Sequence, residues 1–587
     1  LKGCQKSFKL LKVMKINKVL AKKFEELANA LDFLGENPFK IRAYIKVSRV
    51  LEELPEDVTE IYRTQGFEGL EKIPGIGEGI AKKIVEFIEK GTFEKYEEVM
   101  SKVPTDLLKL MDVPGIGPRT LKLIHDKFKV TTMEEFIKIL DDPRILSLPG
   151  MGEKKIENIK RGLELYLSMQ ERIPLGIAVN IVEDIVEHMR ELGKVELISG
   201  CGSYRRMKET VGDIDILVVG ENGAEIIDHF TRFPSVTDVL ASGETKGSVI
   251  IDGKYQVDMR VVGRESWGAA LQYFTGSKNH NIKLRTIAKA KGLKISEYGV
   301  FRDEKFVAGA EEEEVYTALG LPWIPPELRE DQGEIEAAIN GNLPILVEYN
   351  DIKGDLHVHS NYSDGTSTLE ELAEYARKLG YQYLGVCDHS RSVKYAGGLD
   401  IDELRARNRE IDRINKLYTG FRLLKGAEVD ILSDGQLDYP DEVLRELDFV
   451  VASIHIWKKN EDATSRIIRA MENPFVTIIG HPTGRLIGQR EGYHVDIDVI
   501  IEKAVETKTF LEMNAYYERL DFNDLNARKA KERGALLVIN TDAHHVGQLQ
   551  MIKLGIGQAR RAWLGPSDVV NTRNLDELLE LLKIKIK

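Results

Sequence analysis

Residues 200–218 read GCGSYRRMKETVGDIDILV, and the fold turns on how this stretch ends. Its last residues open an apolar run, I-D-I-L-V-V, with Asp215 inside it and Asp213 just before it, at i and i+2. On a β-strand that spacing puts both carboxylates on one face. Two adjacent carboxylates repel unless a cation lies between them, so the pattern points to a divalent metal. Gly212 lets the chain enter the strand tightly. Upstream, Gly202-Ser203 offers a small turn with a hydroxyl and backbone amides, followed directly by Arg205-Arg206. Such a turn can cradle a polyphosphate beside a metal pair. YQVDMRVV (255–262) supplies a third carboxylate, Asp258, on another strand. Alone, D-x-D reads more readily as a strand end with solvated acids. G-S-Y-R-R before it and V-D-M-R after it favour the metal site.

The set G-S-x-R-R, G-D-x-D-I and V-D-x-R resembles the nucleotidyltransferase palm of the family X DNA polymerases, the DNA polymerase beta family. ALQYFTGS (270–277) resembles that family's nucleotide-selecting loop, and the likeness covers residues 14–330. It implies Asp213, Asp215 and Asp258 as catalytic metal ligands for Mg²⁺ or Mn²⁺, and Ser203, Arg206 and Gly212 around the triphosphate. It also implies Tyr273 and Phe274 against the incoming sugar, with Gly276 in the same loop. Asn281 and Arg285 match positions at the nascent base pair, although K-N-H (278–280) departs from the beta-type sequence. Lys246, in SGETKG (242–247), matches a phosphate contact near the primer-template.

A chain of 587 residues is too long for one core and suggests several domains. Three cysteines without a C-x-x-C pair argue against a disulfide framework or a cysteine-built zinc site, and a reducing cytoplasm fits. No apolar run approaches the ~18 residues of a membrane helix. Residues 1–13 are lysine-studded, do not read as a signal peptide and are taken as an upstream extension before Met14. The net charge of −12 divides unevenly: +2 for residues 1–310, −9 for 311–350 and −5 for 351–587. Nucleic-acid affinity follows local patches rather than the total, so the acidic stretch marks a boundary and does not exclude DNA.

Three repeats stand before the palm: IPGIGEGIAKKI (73–84), VPGIGPRTLKLI (113–124) and LPGMGEKKIENI (148–159). Each is apolar-Pro-Gly-apolar-Gly opening a helix, and each resembles the helix-hairpin-helix. Gly75 and Gly77, Gly115 and Gly117, and Gly150 and Gly152 permit tight hairpins whose amides face a DNA phosphate. Such contacts hold a backbone without reading bases. In beta-type polymerases the first motif lies in a lyase domain whose lysine forms a Schiff base with a deoxyribose phosphate. Lys83 falls at the matching position, while a basic residue that the family keeps nearby is Gly79 here. A lysine on a helix face is commonly just solvated.

From Gly354 the pattern becomes strand, loop, helix, repeated. Seven strands are read: GDLHVH, YLGVCDH, RLLKGAEV, FVVASIH, VTIIGHP, TFLEMNA and LLVINTDAH. Parallel α/β barrels carry active-site groups at the carboxyl ends of their strands. Six of the twelve histidines fall at such ends: His357, His359, His389, His455, His481 and His544. Asp364, Glu428 and Asp542 join them. These donors exceed what one tetrahedral zinc uses, so a cluster of two or three ions (Zn²⁺, Mn²⁺ or Fe²⁺) is expected. D-L-H-V-H-S, C-D-H-S, G-H-P and T-D-A-H resemble the PHP phosphoesterase domain, which prokaryotic family X polymerases carry at the C-terminus. Asp388 is expected to orient a ligand histidine; His494 and His545 are expected to play surface or local hydrogen-bonding roles.

The expected architecture is multidomain: a helical helix-hairpin-helix part, an α+β nucleotidyltransferase palm with fingers and thumb, and a distorted (β/α)7 PHP barrel. The boundaries run 14–100 (lyase-like), 101–172 (helical DNA-binding), 173–262 (palm), 263–326 (nucleotide-selecting), 327–350 (linker) and 351–587 (PHP). The resemblance implies a monomeric, gap-filling repair polymerase acting on gapped or nicked DNA with dNTPs. It also implies a PHP 3′-5′ exonuclease, with AP-site or 3′-phosphate processing open as a further activity. A template-independent nucleotidyltransferase, a PHP phosphatase tethered to DNA and a non-catalytic repair scaffold are the rival readings.

Overall fold

The computed structural model describes residues 4–54, 57–73, 75–113, 116–170, 172–457 and 461–586. The first helix, Cys4–Leu34, runs through the boundary expected at Met14; residues 1–3 lie outside the described residues. No helix among the described residues is long and apolar enough to cross a membrane.

The N-terminal part is all helical, and one cluster of buried side chains from Leu20 to Leu163 runs through it. The lyase-like and DNA-binding segments therefore share a core. Gly77 and Gly117 stand at the N-caps of Glu78–Lys90 and Pro118–Phe128 without a side-chain cap bond. Gly152 immediately precedes Glu153–Gln170. The first-turn amides of a helix have no partner within it, and here no capping side chain takes them up at the first two. Gly75 and Gly150 have φ of 94° and 74°, a conformation that disfavours any residue with a Cβ. Gly115 lies outside the described residues.

The palm begins with β1 (Ile173–Pro174), which pairs with β3 (Thr210–Val211). Its main sheet holds β2 (Val195–Gly200), β4 (Ile214–Gly220), β5 (Val236–Ser242), β6 (Lys246–Ile251) and β7 (Tyr255–Val261) in the order β2-β4-β7-β6-β5. Only β4 and β7 run parallel. The three-residue β6–β7 loop, 252–254, turns at Asp252-Gly253 with left-handed φ of 50° and 69°, closed by Lys254 N–H donating to Ile251 O at 3.1 Å. Next come helices Trp267–Thr275 and Lys278–Ala290 and a meander of β8 (Lys294–Ser296), β9 (Gly299–Arg302) and β10 (Lys305–Ala308).

The segment expected to be a linker, 327–350, is packed structure. Arg329 and Glu334 are fully buried, with Ile335, Ala338 and Val347 beside them in the core. Buried polar contacts explain this. Arg329 NH1 lies 2.6 Å from Glu312 Oε1, which also meets Arg205 NH1 at 2.7 Å. His280 Nδ1 lies 2.7 Å from Glu334 Oε1, and its Nε2 lies 3.0 Å from the Tyr316 hydroxyl. The unusual histidine of K-N-H is thus a buried brace. The segment reads as a linker only when these partners are ignored.

The C-terminal domain has the seven expected strand positions. Parallel β11 (Gly354–Val358), β12 (Tyr383–Val386) and β13 (Arg422–Lys425) form one sheet. The third strand breaks at Gly426-Ala427 and resumes as β14 (Glu428–Asp430). It is followed by parallel β15 (Val451–Ser453), β16 (Ile478–Ile479), β17 (Phe510–Asn514) and β18 (Leu537–Asn540). The bridge Val358–Ala543 and the bond from His359 N–H to Ala543 O bring the last strand back to the first. A distorted seven-position barrel results. It packs on the palm directly: Ile487, Leu520 and Leu554 of the barrel belong to the palm's hydrophobic core.

Candidate active sites

At the palm, β4 and β7 are in register with Asp215 opposite Asp258. Asp213 stands one residue before β4, and one carboxylate oxygen of each of the three lies within 4.8 Å of the others. Burial, and then the charges of Asp213 and Asp258, push the Asp215 carboxyl up to about 6. Asp258 Oδ1 is buried with no hydrogen-bond partner among the described residues. Repelling acids with an orphaned oxygen fit a divalent cation. The glycine turn abuts them: Cys201 N–H donates to Asp215 O at 2.7 Å, and Gly202 (φ 62°) leaves space where a Cβ would lie 3.3 Å from Asp215 Oδ2.

Ser203 sits on the short helix Gly202–Arg205 that follows, and the turn closes with Lys208 N–H donating to Ser203 O at 3.0 Å. Gly212 is exposed beside Asp213. Arg206 donates to Thr275 O at 2.5 Å, next to Gly276, and its Nε lies 3.0 Å from Glu330 Oε1. Tyr273 and Phe274 meet edge to face at 5.2 Å on the last turn before Gly276. Asn281 is buried, its amide donating to Tyr273 O at 2.9 Å and accepting from Gln272 at 2.7 Å. In this structure it braces the aromatic turn and does not reach an open surface, which differs from the expected base-pair contact. Arg285 is exposed, its Nε on Asn281 O, and exposed Lys246 acts on Asp215 electrostatically. In the helical part Lys83 is half-buried; burial, and then neighbouring Lys95, push its amine pKa down.

The barrel gathers all of the expected ligands at one end. His359, Asp364, His389 and His544 form one group; His357, His359 and Glu428 a second; His389, Glu428 and His455 a third. Shared members fuse the groups. His481 Nε2 lies 3.0 Å from Glu428 Oε1, and His359 Nε2 lies 3.1 Å from Asp542 Oδ1. Burial opposes ionisation of Glu428, but His455, His357 and His389 outweigh it and hold its carboxyl well below the usual range. His359, buried and crowded by His544 and His389, is pushed down to about 4. His357 Nε2, His359 Nδ1, His481 Nδ1 and Glu428 Oε2 are buried without a hydrogen-bond partner among the described residues. Inward-facing lone pairs of this kind, on mixed nitrogen and oxygen donors, fit a cluster of divalent ions.

The supporting residues differ from expectation. Asp388 touches no ligand histidine; it accepts from Ser360 N–H, Ser360 Oγ and Ser363 Oγ at 2.8 Å and pairs with buried Arg407, so it shapes the loop that carries Asp364. The orienting carboxylates are Glu512 and Asp430. Glu512 Oε1 lies 2.7 Å from His357 Nδ1 and its Oε2 accepts from His481 N–H at 2.6 Å. That leaves His357 Nε2 toward the cluster. Asp430 accepts from His455 N–H at 2.9 Å. Glu512 lies inside β17, two residues before its end at Asn514, so a reading of strand ends alone passes over it. Arg519 also escaped notice: its Nε lies 3.4 Å from Asp542 Oδ2. His545 caps its own turn, accepting from Gly547 N–H at 3.0 Å.

Sequence models of known families match in five places. A helix-hairpin-helix domain covers residues 15–93 and a helix-hairpin-helix tandem 107–164. The DNA polymerase beta palm covers 172–256, its thumb 270–330 and the PHP domain 355–563. The chain is 40% identical over 565 residues to "DNA polymerase/3'-5' exonuclease PolX" of Bacillus subtilis (strain 168), covering 95% of this chain and 98% of that protein. It is 27% identical over 353 residues to "DNA polymerase lambda" of Rattus norvegicus, covering 54% and 57%. Over 245 residues it is 31% identical to a Thermoanaerobacter sp. (strain X514) protein named "Probable phosphatase", covering 39% of this chain and 94% of that one.

Proposed function

The chain belongs to the family X DNA polymerases that carry a C-terminal PHP domain, and from that premise we propose that it fills short gaps in DNA during base-excision-type repair and trims 3′ ends with its PHP domain. The observation that carries this reading is the register of Asp215 against Asp258, beside a glycine turn and two arginines, in a chain with a second, separate cluster of metal donors.

In this reading Asp213, Asp215 and Asp258 would hold the palm cations, Mg²⁺ or Mn²⁺, beside the primer 3′-hydroxyl. Bound there, divalent ions would supply activation of the primer hydroxyl and charge compensation for the triphosphate. Ser203 and Arg206 neutralise the β- and γ-phosphates, Tyr273 and Phe274 pack on the sugar, and the glycine hairpins with Lys246 and Arg285 hold the duplex. At the barrel, His357, His359, Asp364, His389, Glu428, His455, His481, Asp542 and His544 would hold two or three Zn²⁺, Mn²⁺ or Fe²⁺ ions, whose chemistry would be activation of water for phosphodiester hydrolysis. Arg519, beside Asp542, is placed to meet the phosphate. The protein works as a cytoplasmic monomer.

The test is a primer-extension and degradation assay on a one-nucleotide gap, with and without dNTPs, across Mg²⁺, Mn²⁺ and Zn²⁺. Templated extension with dNTPs and 3′ shortening without them are expected. Preferred addition to single strands would favour a template-independent transferase, and no extension with phosphatase activity on small esters would favour a tethered phosphatase. The depressed, half-buried Lys83 favours one further reading, deoxyribose-phosphate lyase activity. Borohydride trapping of a 5′-deoxyribose-phosphate substrate, lost in Lys83→Ala, tests it.

A further inference from the structure

The turn that follows Ser203 is held from behind by the PHP barrel. Met207 has φ of 55°, a left-handed conformation costly for a side-chain-bearing residue, so its surroundings must impose it. Helix Ile552–Arg561 of the barrel does so. Gln558 Nε2 donates to Met207 O at 2.6 Å, and Arg561 NH1 donates to Arg206 O at 2.8 Å. Gly557 lies flat against the Met207 side chain, where a Cβ would come 2.9 Å from Met207 Cβ. The contact is also electrostatic. Arg206 Nε and Arg561 NH1 approach the same oxygen, Glu330 Oε1, at 3.0 and 2.8 Å. Arg561 Nε is in turn tied to Asp524 Oδ2 at 2.8 Å. All three members of the Arg206–Glu330–Arg561 group are largely buried, so the surrounding medium screens them weakly.

We propose that Arg561 and Gln558 of the barrel are positioning residues for nucleotide binding at the palm: Gln558 holds the phosphate turn, and Arg561 shares Glu330 so that Arg206 is free to engage a triphosphate. The inference rests on the proposed role of Arg206. A carboxylate satisfied by two guanidinium groups holds each of them less firmly than it would hold one, and the second cation repels the first. When a polyanion arrives, Arg561 keeps Glu330 neutralised while Arg206 turns to the phosphates. Without Arg561, Glu330 would be a buried acid with Arg206 as its remaining cation, and drawing Arg206 away would leave it uncompensated. The barrel therefore tunes nucleotide affinity without touching nucleotide.

The test uses the full-length protein and single-nucleotide gap filling, with KM for dNTP and kcat measured separately. Arg561→Met is expected to raise KM on the order of tenfold, the size of one charge-assisted contact, with kcat little changed. Adding Glu330→Gln to that variant is expected to bring KM back toward wild type, which loss of packing would not do. Gln558→Ala is expected to raise KM as the turn loosens, without reversal by Glu330→Gln. Retained 3′-end degradation in each preparation shows that the barrel is folded. Should Arg561→Met not fold, Gln558→Ala and Glu330→Gln alone decide: the first must raise KM and the second must not. If Arg206→Ala leaves KM unchanged, the nucleotide role of Arg206 falls. If Arg206→Ala raises KM but Arg561→Met does not, or Glu330→Gln fails to restore it, the sharing of Glu330 is overturned while the reading of the palm stands.

Discussion

Asp215 and Asp258 face each other across two parallel strands, as Cα partners in the middle of an otherwise antiparallel sheet. Parallel pairing aligns residues from distant parts of the chain without a hairpin, and here it sets two acids side by side with burial raising the pKa of one.

Asp258→Ala is therefore expected to abolish nucleotide addition while leaving DNA binding and 3′-end degradation near wild type. Duplex affinity comes from backbone contacts far from this pair. Gap-filling rates and DNA dissociation constants measured side by side check it; polymerisation above a few per cent of wild type would sink the palm assignment.

Tyr273→Ala is expected to raise ribonucleotide incorporation relative to deoxyribonucleotide. The ring sits on a turn braced by Asn281 and packed edge-on against Phe274, so its position is well defined. Competition of rNTP with dNTP in single-nucleotide insertion reads the effect. Unchanged selectivity in a folded variant would move sugar exclusion to the backbone.

His544→Ala is expected to eliminate 3′-end degradation and lower metal content while leaving gap filling intact. His544 is the better target than His357. It lies nearer the rim, partly exposed, whereas His357 is fully buried against Glu512, whose carboxylate would be left uncompensated. Chelation should silence degradation in the wild type and readdition of Mn²⁺ or Zn²⁺ should restore it. Degradation by purified, metal-depleted variant would place the nuclease elsewhere.

Glu312→Gln is expected to destabilise the thumb by about 3–5 kcal/mol, because it leaves two guanidinium groups in the interior unpaired. Burial opposes ionisation of Glu312, yet Arg329 and Arg205 hold its carboxyl well below the ordinary range. A depressed pKa adds stability that is complete above the unfolded value, about 4.3, and is lost as pH falls through the folded one. Thermal unfolding should show the wild type weakening below about pH 4, with Glu312→Gln already weakened at neutral pH and less sensitive to acid. A parallel acid response in both would show that other carboxylates govern it.

How much of this protein could be read from its residues follows from the range of the interactions involved. Alternating apolar residues, D-x-D spacing, glycines before helices and polar residues at strand ends are local patterns. They located the palm acids, the hairpins among the described residues, the seven strand positions and the nine barrel donors, because a strand's period dictates which side chains share a face. Glu512, inside β17, escapes a reading of strand ends, and its task is set by His357, 155 residues away in the chain. Residues 327–350 looked like a linker because the partners of buried Arg329 and Glu334, namely Glu312 and His280, lie in other elements. The pairing of Arg561 with Glu330 spans 231 residues and exists only because the barrel helix Ile552–Arg561 folds back onto the segment after the palm. Local sequence determines which elements form and which way they face. Which charges meet once water is excluded is decided by packing, since only there does an unpaired charge cost enough to select its partner.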